Sequence, residues 1–140
     1  RVLPRWRNGV CGSVNLFDRF VAKYVQETGV PFLSVDYRLS PEYRGTTLVE
    51  DGYAALTWFT TRANDFGVDS MRIAIMGESG GGGVAAGVAI AARDTRIPVA
   101  KQFLIYPMLD DRNIEPDPEI EPFAAWTYDD KFNWMERTVG

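Results

Sequence analysis

The chain has 140 residues, 46% of them hydrophobic, which is one domain at most and enough apolar material for a buried core. Nineteen acidic against 15 basic residues give a net charge of −4 with no basic stripe, which argues against nucleic-acid binding. No run of about 18 apolar residues offers a membrane span, and the single cysteine, Cys11, cannot form an internal disulfide. Together with the lack of an apolar signal core, these features favour a cytoplasmic location. The chain opens on Arg1 and ends at Thr138-Val139-Gly140, which reads as a piece of something longer.

Taken in order, Leu16, Phe17, Phe20, Val21, Tyr24 and Val25 recur at spacings of three and four, which predicts an amphipathic helix over residues 14–28. Asn15 or Ser13 can cap it, and Gly29 ends it. Residues 30–37 are a short apolar run of the kind that forms a buried strand, and Pro41 interrupts the chain soon after it. A second helix is predicted from Leu48 to Asn64, with Val49, Tyr53, Leu56 and Phe59 on one face. Residues 72–77 form the next predicted strand, 80–93 a helix of small residues, and 102–107 a further strand. Repeated strand-then-helix units imply an α/β fold, a parallel sheet with helices on both faces. Glu115-Pro116-Asp117-Pro118-Glu119 then reads as an acidic, solvated connection rather than a metal site, before an aromatic-rich stretch from Phe123 to Trp134.

The most informative segment lies between the third predicted strand and its helix: Gly77-Glu78-Ser79-Gly80-Gly81, followed by Gly82 and Gly83. Gly-x-Ser-x-Gly between a strand and a helix is the context of a nucleophile elbow, a sharp turn that exposes a serine. Such a turn strains the serine backbone and needs neighbours with almost no side chain, which Gly77 and Gly81 supply. Two alternatives read the same glycines as a phosphate cradle. A P-loop would follow its glycines with Gly-Lys-Ser/Thr, absent here, and a dinucleotide site wants an acid about 20 residues on, for which Asp94 comes too early. The chain also contains no histidine, so a nucleophilic Ser79 has no usual base within these 140 residues.

Three motifs in this order, Asp36-Tyr37-Arg38-Leu39-Ser40-Pro41-Glu42, Gly77-Glu78-Ser79-Gly80-Gly81-Gly82 and Leu104-Ile105-Tyr106-Pro107, together with the Cys11-Gly12-Ser13 turn, resemble the hormone-sensitive-lipase-like group of α/β-hydrolases. The resemblance covers roughly residues 10 to 140 and implies a partial α/β-hydrolase domain over residues 1–140, with residues 122–140 starting a cap segment. It implies carboxylic ester hydrolysis of a small-molecule ester, with no cofactor and no metal. Ser79 would be the nucleophile, the Gly80 N–H an oxyanion donor, and Gly77, Glu78 and Gly81 the rest of the elbow. Arg38 and Glu42 would tie loops together, and the fold's triad aspartate and histidine would lie downstream; Asp110 and Asp111 come too early for the acid.

The chain also departs from this group. The group's His-Gly-Gly-Gly oxyanion loop falls on Arg5, Trp6, Arg7 and Asn8, with Gly9 the only remnant. Arg1-Val2-Leu3-Pro4 stands where the strand entering that loop belongs. That strand is expected to be missing, which would deprive residues 31–37 and 72–76 of their shared neighbour. These departures leave two further readings open: a non-catalytic binding module of the same fold, and an unrelated phosphate-binding doubly wound domain.

Overall fold

A computed structural model describes residues 2–4 by their backbone, and residues 14–40, 42–110, 112, 115–123, 127 and 129. Its elements run β1 (Val2–Pro4), α1 (Val14–Thr28), β2 (Leu33–Val35), α2 (Thr47–Thr61), β3 (Ala74–Glu78), α3 (Gly80–Asp94) and β4 (Lys101–Ile105). Short 3₁₀ turns at Ala63–Phe66 and Ser70–Arg72 join α2 to β3. The four strands form one sheet in the order β2-β1-β3-β4, and every pairing is parallel.

The expected loss of a strand at residues 1–4 is overturned. Val2–Pro4 is β1, and it lies between β2 and β3 with Val2 opposite Leu33 on one side and Ile75 on the other. A parallel ladder is built from backbone groups, so three extended residues suffice even though Pro4, opposite Val35, brings no N–H. Pro4 closes β1, so the N–H it lacks falls at the end of the ladder rather than within it.

The connections set the layers. From β1 the chain steps outward to β2, then crosses back over β1 to β3, and continues in that direction to β4. Right-handed crossovers taken in opposite directions put α1 on one face and α2 and α3 together on the other. The core fills the space between the sheet and those two helices: Val35, Tyr37, Leu48, Leu56, Phe59, Ile73, Ile75, Val84, Val88 and Ala92 are buried in one cluster. Helix α1 has no buried residue, and its Leu16 and Phe20 are exposed. It contacts the rest through pairs such as Tyr24 stacked on Phe32 at 6.0 Å.

Boundaries obey local chemistry. Helix α1 spans the residues its periodicity indicates, and Gly29 stops it at φ 65°, its N–H reaching back to the Val25 carbonyl. Helix α2 ends at Thr61 rather than Asn64, and the 3₁₀ turn after it closes on Gly67 at φ 62°. Its buried residues are Leu48, Gly52, Leu56 and Phe59, so the face is rotated from the predicted stripe toward α3. Gly52 is why: a Cβ there would lie 2.8 Å from Val88 Cγ2, so the two helices meet where α2 has no side chain. Strands β2 and β4 are shorter than their apolar runs. Among the described residues, no helix is long and apolar enough to cross a membrane.

Candidate active site

Ser79 comes after the last residue of β3 and before the first of α3, at the carboxyl end of the sheet. The connections change direction across the sheet between the adjacent parallel strands β1 and β3, since β1 leads outward to β2 and β3 leads the other way to β4. In open α/β sheets this topological switch point, outside the carboxyl ends of the strands, is where ligands bind. Ser79 therefore stands at the strand end where its motif predicts it.

Ser79 has φ 53° and ψ −124°, one of three non-glycine residues with positive φ among those described. Such a conformation costs an L-residue on the order of 1–3 kcal/mol and persists where the surroundings over-determine it. Backbone contacts supply that determination. The Ser79 N–H donates to the Ile105 carbonyl at 3.0 Å, and the Ser79 carbonyl accepts from the Gly82, Gly83 and Met108 N–H groups at 2.9, 3.3 and 3.1 Å. The Ser79 side chain does not cap α3, and the residue is half-buried.

The flanking glycines have a direct steric reason. A Cβ at Gly77 would lie 2.1 Å from the Gly81 carbonyl oxygen and 2.9 Å from Ala85 Cβ. Strand and helix touch backbone to backbone there, and Gly77, Gly80 and Gly81 are all buried. Glu78 is half-buried. Gly80 opens α3, so its N–H is one of the first-turn amides that have no acceptor within the helix. The α3 dipole adds partial positive charge at the same place. Gly82 and Gly83, by contrast, spend their amides on Ser79, which leaves the glycine run a poor phosphate cradle.

The tight packing of α3 divides differently from the sequence expectation. Ala85 and Ala92 are fully buried, as a helix close to the sheet requires. Ala86 and Gly87 are only half-buried, although small residues on a helix against a sheet lead one to expect Ala86 or Gly87 to be buried. A Cβ at Gly87 would lie 2.7 Å from Val49 Cγ2, so this glycine serves the approach of α2 rather than of the sheet.

Around the site, the loop after β2 is tied down by Arg38 and Asp51. The Arg38 guanidinium donates to both Asp51 carboxylate oxygens at 2.9 and 2.8 Å, and the Arg38 backbone N–H donates to Asp51 Oδ2 at 2.9 Å. Arg38 thus ties its loop down as expected, while Glu42 is exposed. The hydrogen bonds from Arg38 hold the Asp51 carboxyl below its usual range, against a smaller opposing effect of burial, and the same bond raises Arg38. The Arg38 guanidinium also lies 4.8 Å from the centre of the Tyr43 ring, and buried Ser40 donates to the Tyr43 carbonyl at 2.9 Å. No signal short of the fold pointed to Asp51, which is 13 positions from Arg38.

Asp110 is turned to its own loop, accepting from the Arg112 backbone N–H and guanidinium at 2.9 to 3.0 Å. Among the described residues no cluster of three His, Cys, Asp or Glu side chains gathers to hold a metal. An open groove of about 570 Å³ runs along α3 and β4, lined by Ala89, Ile90, Val99 and Leu104 between Arg93 and Lys101, but no elbow residue lines it. The positions matched to the oxyanion loop (Arg5, Trp6, Arg7, Asn8 and Gly9), the Cys11-Gly12-Ser13 turn, Pro41, Asp111 and most of the cap segment lie outside the described residues.

Comparison with known proteins agrees with this fold. An ethyl acetate hydrolase from Pseudomonas putida is 35% identical over 103 residues, covering 72% of this chain and 32% of that protein. A gibberellin receptor from Arabidopsis thaliana is 37% identical over 95 residues, covering 66% of this chain and 26% of the receptor. The solved structure of an esterase from Pyrobaculum calidifontis superposes with a TM-score of 0.91 at 32% identity, covering 99% of this chain and 47% of that one. The chain thus spans about a third of the length of the first of these relatives and under half of the solved esterase. A family model described as alpha/beta hydrolase fold matches residues 9–139, and with relatives that fit the hormone-sensitive-lipase-like group, the chain belongs to the α/β-hydrolase fold family.

Proposed function

We propose that this chain is the nucleophile-bearing part of a serine carboxylic ester hydrolase. The observation that carries the reading is the conformation of Ser79, held at φ 53° and ψ −124° between β3 and α3 at the switch point of the sheet. A strained serine there presents its Oγ to the crevice, and the first amide of α3 stands beside it. Ester hydrolases among the relatives support the substrate class.

In the proposed reaction Ser79 Oγ attacks the ester carbonyl carbon, and the carbonyl oxygen becomes an oxyanion that accepts from the Gly80 N–H. Collapse of the tetrahedral intermediate breaks the bond to the alcohol, which leaves with the proton that a base took from Ser79 Oγ, and water then releases the acid from the acyl-enzyme and returns a proton to Ser79. Removing one oxyanion donor raises such a barrier by roughly 2.7–4 kcal/mol. Gly77, Glu78 and Gly81 take no part in bond making: the two glycines let strand and helix close, and Glu78 ends β3. A histidine to take the serine proton is absent from these 140 residues, so the hydroxyl of the chain alone stays protonated near neutral pH.

The test is two-sided. The 140-residue chain should show no appreciable hydrolysis of short-chain esters and only slow labelling by a serine-directed phosphonate. A longer polypeptide in which an oxyanion loop and a downstream aspartate and histidine accompany the chain should do both, and Ser79→Ala should abolish turnover there with the fold intact. Robust Ser79-dependent turnover by the chain alone would overturn the part played by an outside base. The likeness to a receptor favours a second reading, an acyl-binding module without chemistry. Inactivity of the longer polypeptide would select it.

A further inference from the structure

Residues 105–108 leave β4 and close on both sides of one residue. Ile105 accepts from the Ser79 N–H, and the Met108 N–H donates to the Ser79 carbonyl. Both backbone hydrogen-bonding groups of the serine are thus gripped by positions three apart. The turn between them is strained, for Tyr106 sits at φ 34° although the residue before a proline favours extended backbone. Pro107 and Met108 press on the start of α3. A Cβ at Gly82 would lie 2.7 Å from Pro107 Cβ and 2.9 Å from its Cα, and one at Gly83 would lie 2.5 Å from the Met108 carbonyl oxygen. Gly82 and Gly83 stand outside the five-residue Gly-x-Ser-x-Gly pattern, and this close approach is what requires them.

We propose that Ile105–Met108 is a strap that positions the nucleophile, seated on Gly82 and Gly83 and acting through the backbone of Ser79. The geometry of the peptide bond says how. The Ser79 carbonyl and the Gly80 N–H belong to one planar trans unit and point in opposite directions. A grip on the carbonyl from Met108 therefore aims the Gly80 N–H, and the grip of Ile105 on the Ser79 N–H sets the other side of the residue that carries Oγ. Tyr106, Pro107 and Met108 are positioning residues here, and the inference rests on Ser79 being the nucleophile.

The test measures amide exchange and phosphonylation in this chain. Gly82→Ala should speed exchange at the Ser79 and Met108 amides together by about tenfold or more relative to the Ile75 amide inside β3. It should also lower the limiting rate of Ser79 phosphonylation by a comparable factor, with the reagent's affinity held within about twofold. Tyr106→Val, at an exposed position, should reproduce both effects because a β-branched residue resists φ 34°, and Tyr106→Gly should restore wild-type behaviour. Unchanged exchange and labelling in Gly82→Ala and Tyr106→Val would overturn the strap, as would uniform acceleration of every amide, the sign of lost packing alone. Labelling that survives Ser79→Ala would instead overturn the nucleophile reading. The exchange result does not use the Ser79 hydroxyl, so the two failures are told apart.

Discussion

Helices α1 and α3 are each 15 residues long, yet they stand in opposite relations to the sheet. In α3, Gly80, Gly81, Gly82, Val84, Ala85, Val88 and Ala92 are buried; in α1 no residue is. The difference is one of side-chain size and of apolar character: α1 carries Asp18, Arg19, Lys23, Gln26 and Glu27, whereas α3 is built of small and apolar residues up to Arg93. Helix α1 half-buries Phe17, Val21 and Tyr24 and leaves Leu16 and Phe20 exposed, so large side chains rather than backbone make its contacts. Helix α3 offers glycine and alanine to β3, so its backbone comes into contact with the strand, and a turn as sharp as the one at Ser79 can form between them. Precision at a nucleophile is built from atoms that are missing, and the cost is intolerance to adding any.

That contrast is broken most severely at Gly77. Gly77→Ala places a methyl group against the Gly81 carbonyl, which is backbone and cannot rotate away. The variant should lose about 3 kcal/mol or more of stability, at the upper end for overpacking, or fail to fold, as read by urea denaturation. A midpoint near wild type would mean that strand and helix are not in backbone contact. Next is Gly87→Leu, which meets the β-branched Val49 of α2 rather than backbone. It should cost about 1–3 kcal/mol, and Val49→Ala in the same chain should recover part of the loss. No recovery would place the conflict elsewhere.

A smaller effect is expected at the tie between the β2 loop and α2. Asp51 is held below its usual range by Arg38, so this contribution is fully present above the unfolded aspartate value and fades as pH falls through the folded one. Arg38 is raised and stays charged throughout that window. Both side chains are partly exposed, so Asp51→Asn should cost at most about 1 kcal/mol near neutral pH and should flatten the acid limb of stability below about pH 4. An acid limb identical to wild type would show that the pair contributes nothing. The smallest effect belongs to α1. Phe20→Gln, on an exposed position, should change stability by no more than about 0.5 kcal/mol; a larger loss in thermal melting would mean that something covers this face.

Local pattern carried a large part of the fold. The periodicity of residues 14–28 marked α1 to its ends, because a capable stop such as Gly29 acts through its own φ. The apolar runs located β2, β3 and β4 but overstated the lengths of β2 and β4. Where a strand stops depends on its partner: β4 ends at Ile105 because the next residues turn onto Ser79, and nothing within residues 102–107 announces it. β1 was missed for the complementary reason, since three residues with a proline become a strand only when two other strands stand ready on either side.

By itself, the amino-acid order determined the element types, the family and the residue that turns the corner, because Gly-x-Ser-x-Gly between a strand and a helix is a local requirement that only a few residues satisfy. Tertiary structure alone decided which partners hold that corner in place. Asp51 takes Arg38, Gly87 answers to Val49 rather than to the sheet, and Gly82 and Gly83 make room for a segment 25 positions away. These are contacts between elements distant in the chain, and a glycine does not say which neighbour needs it to be small until the neighbour has arrived.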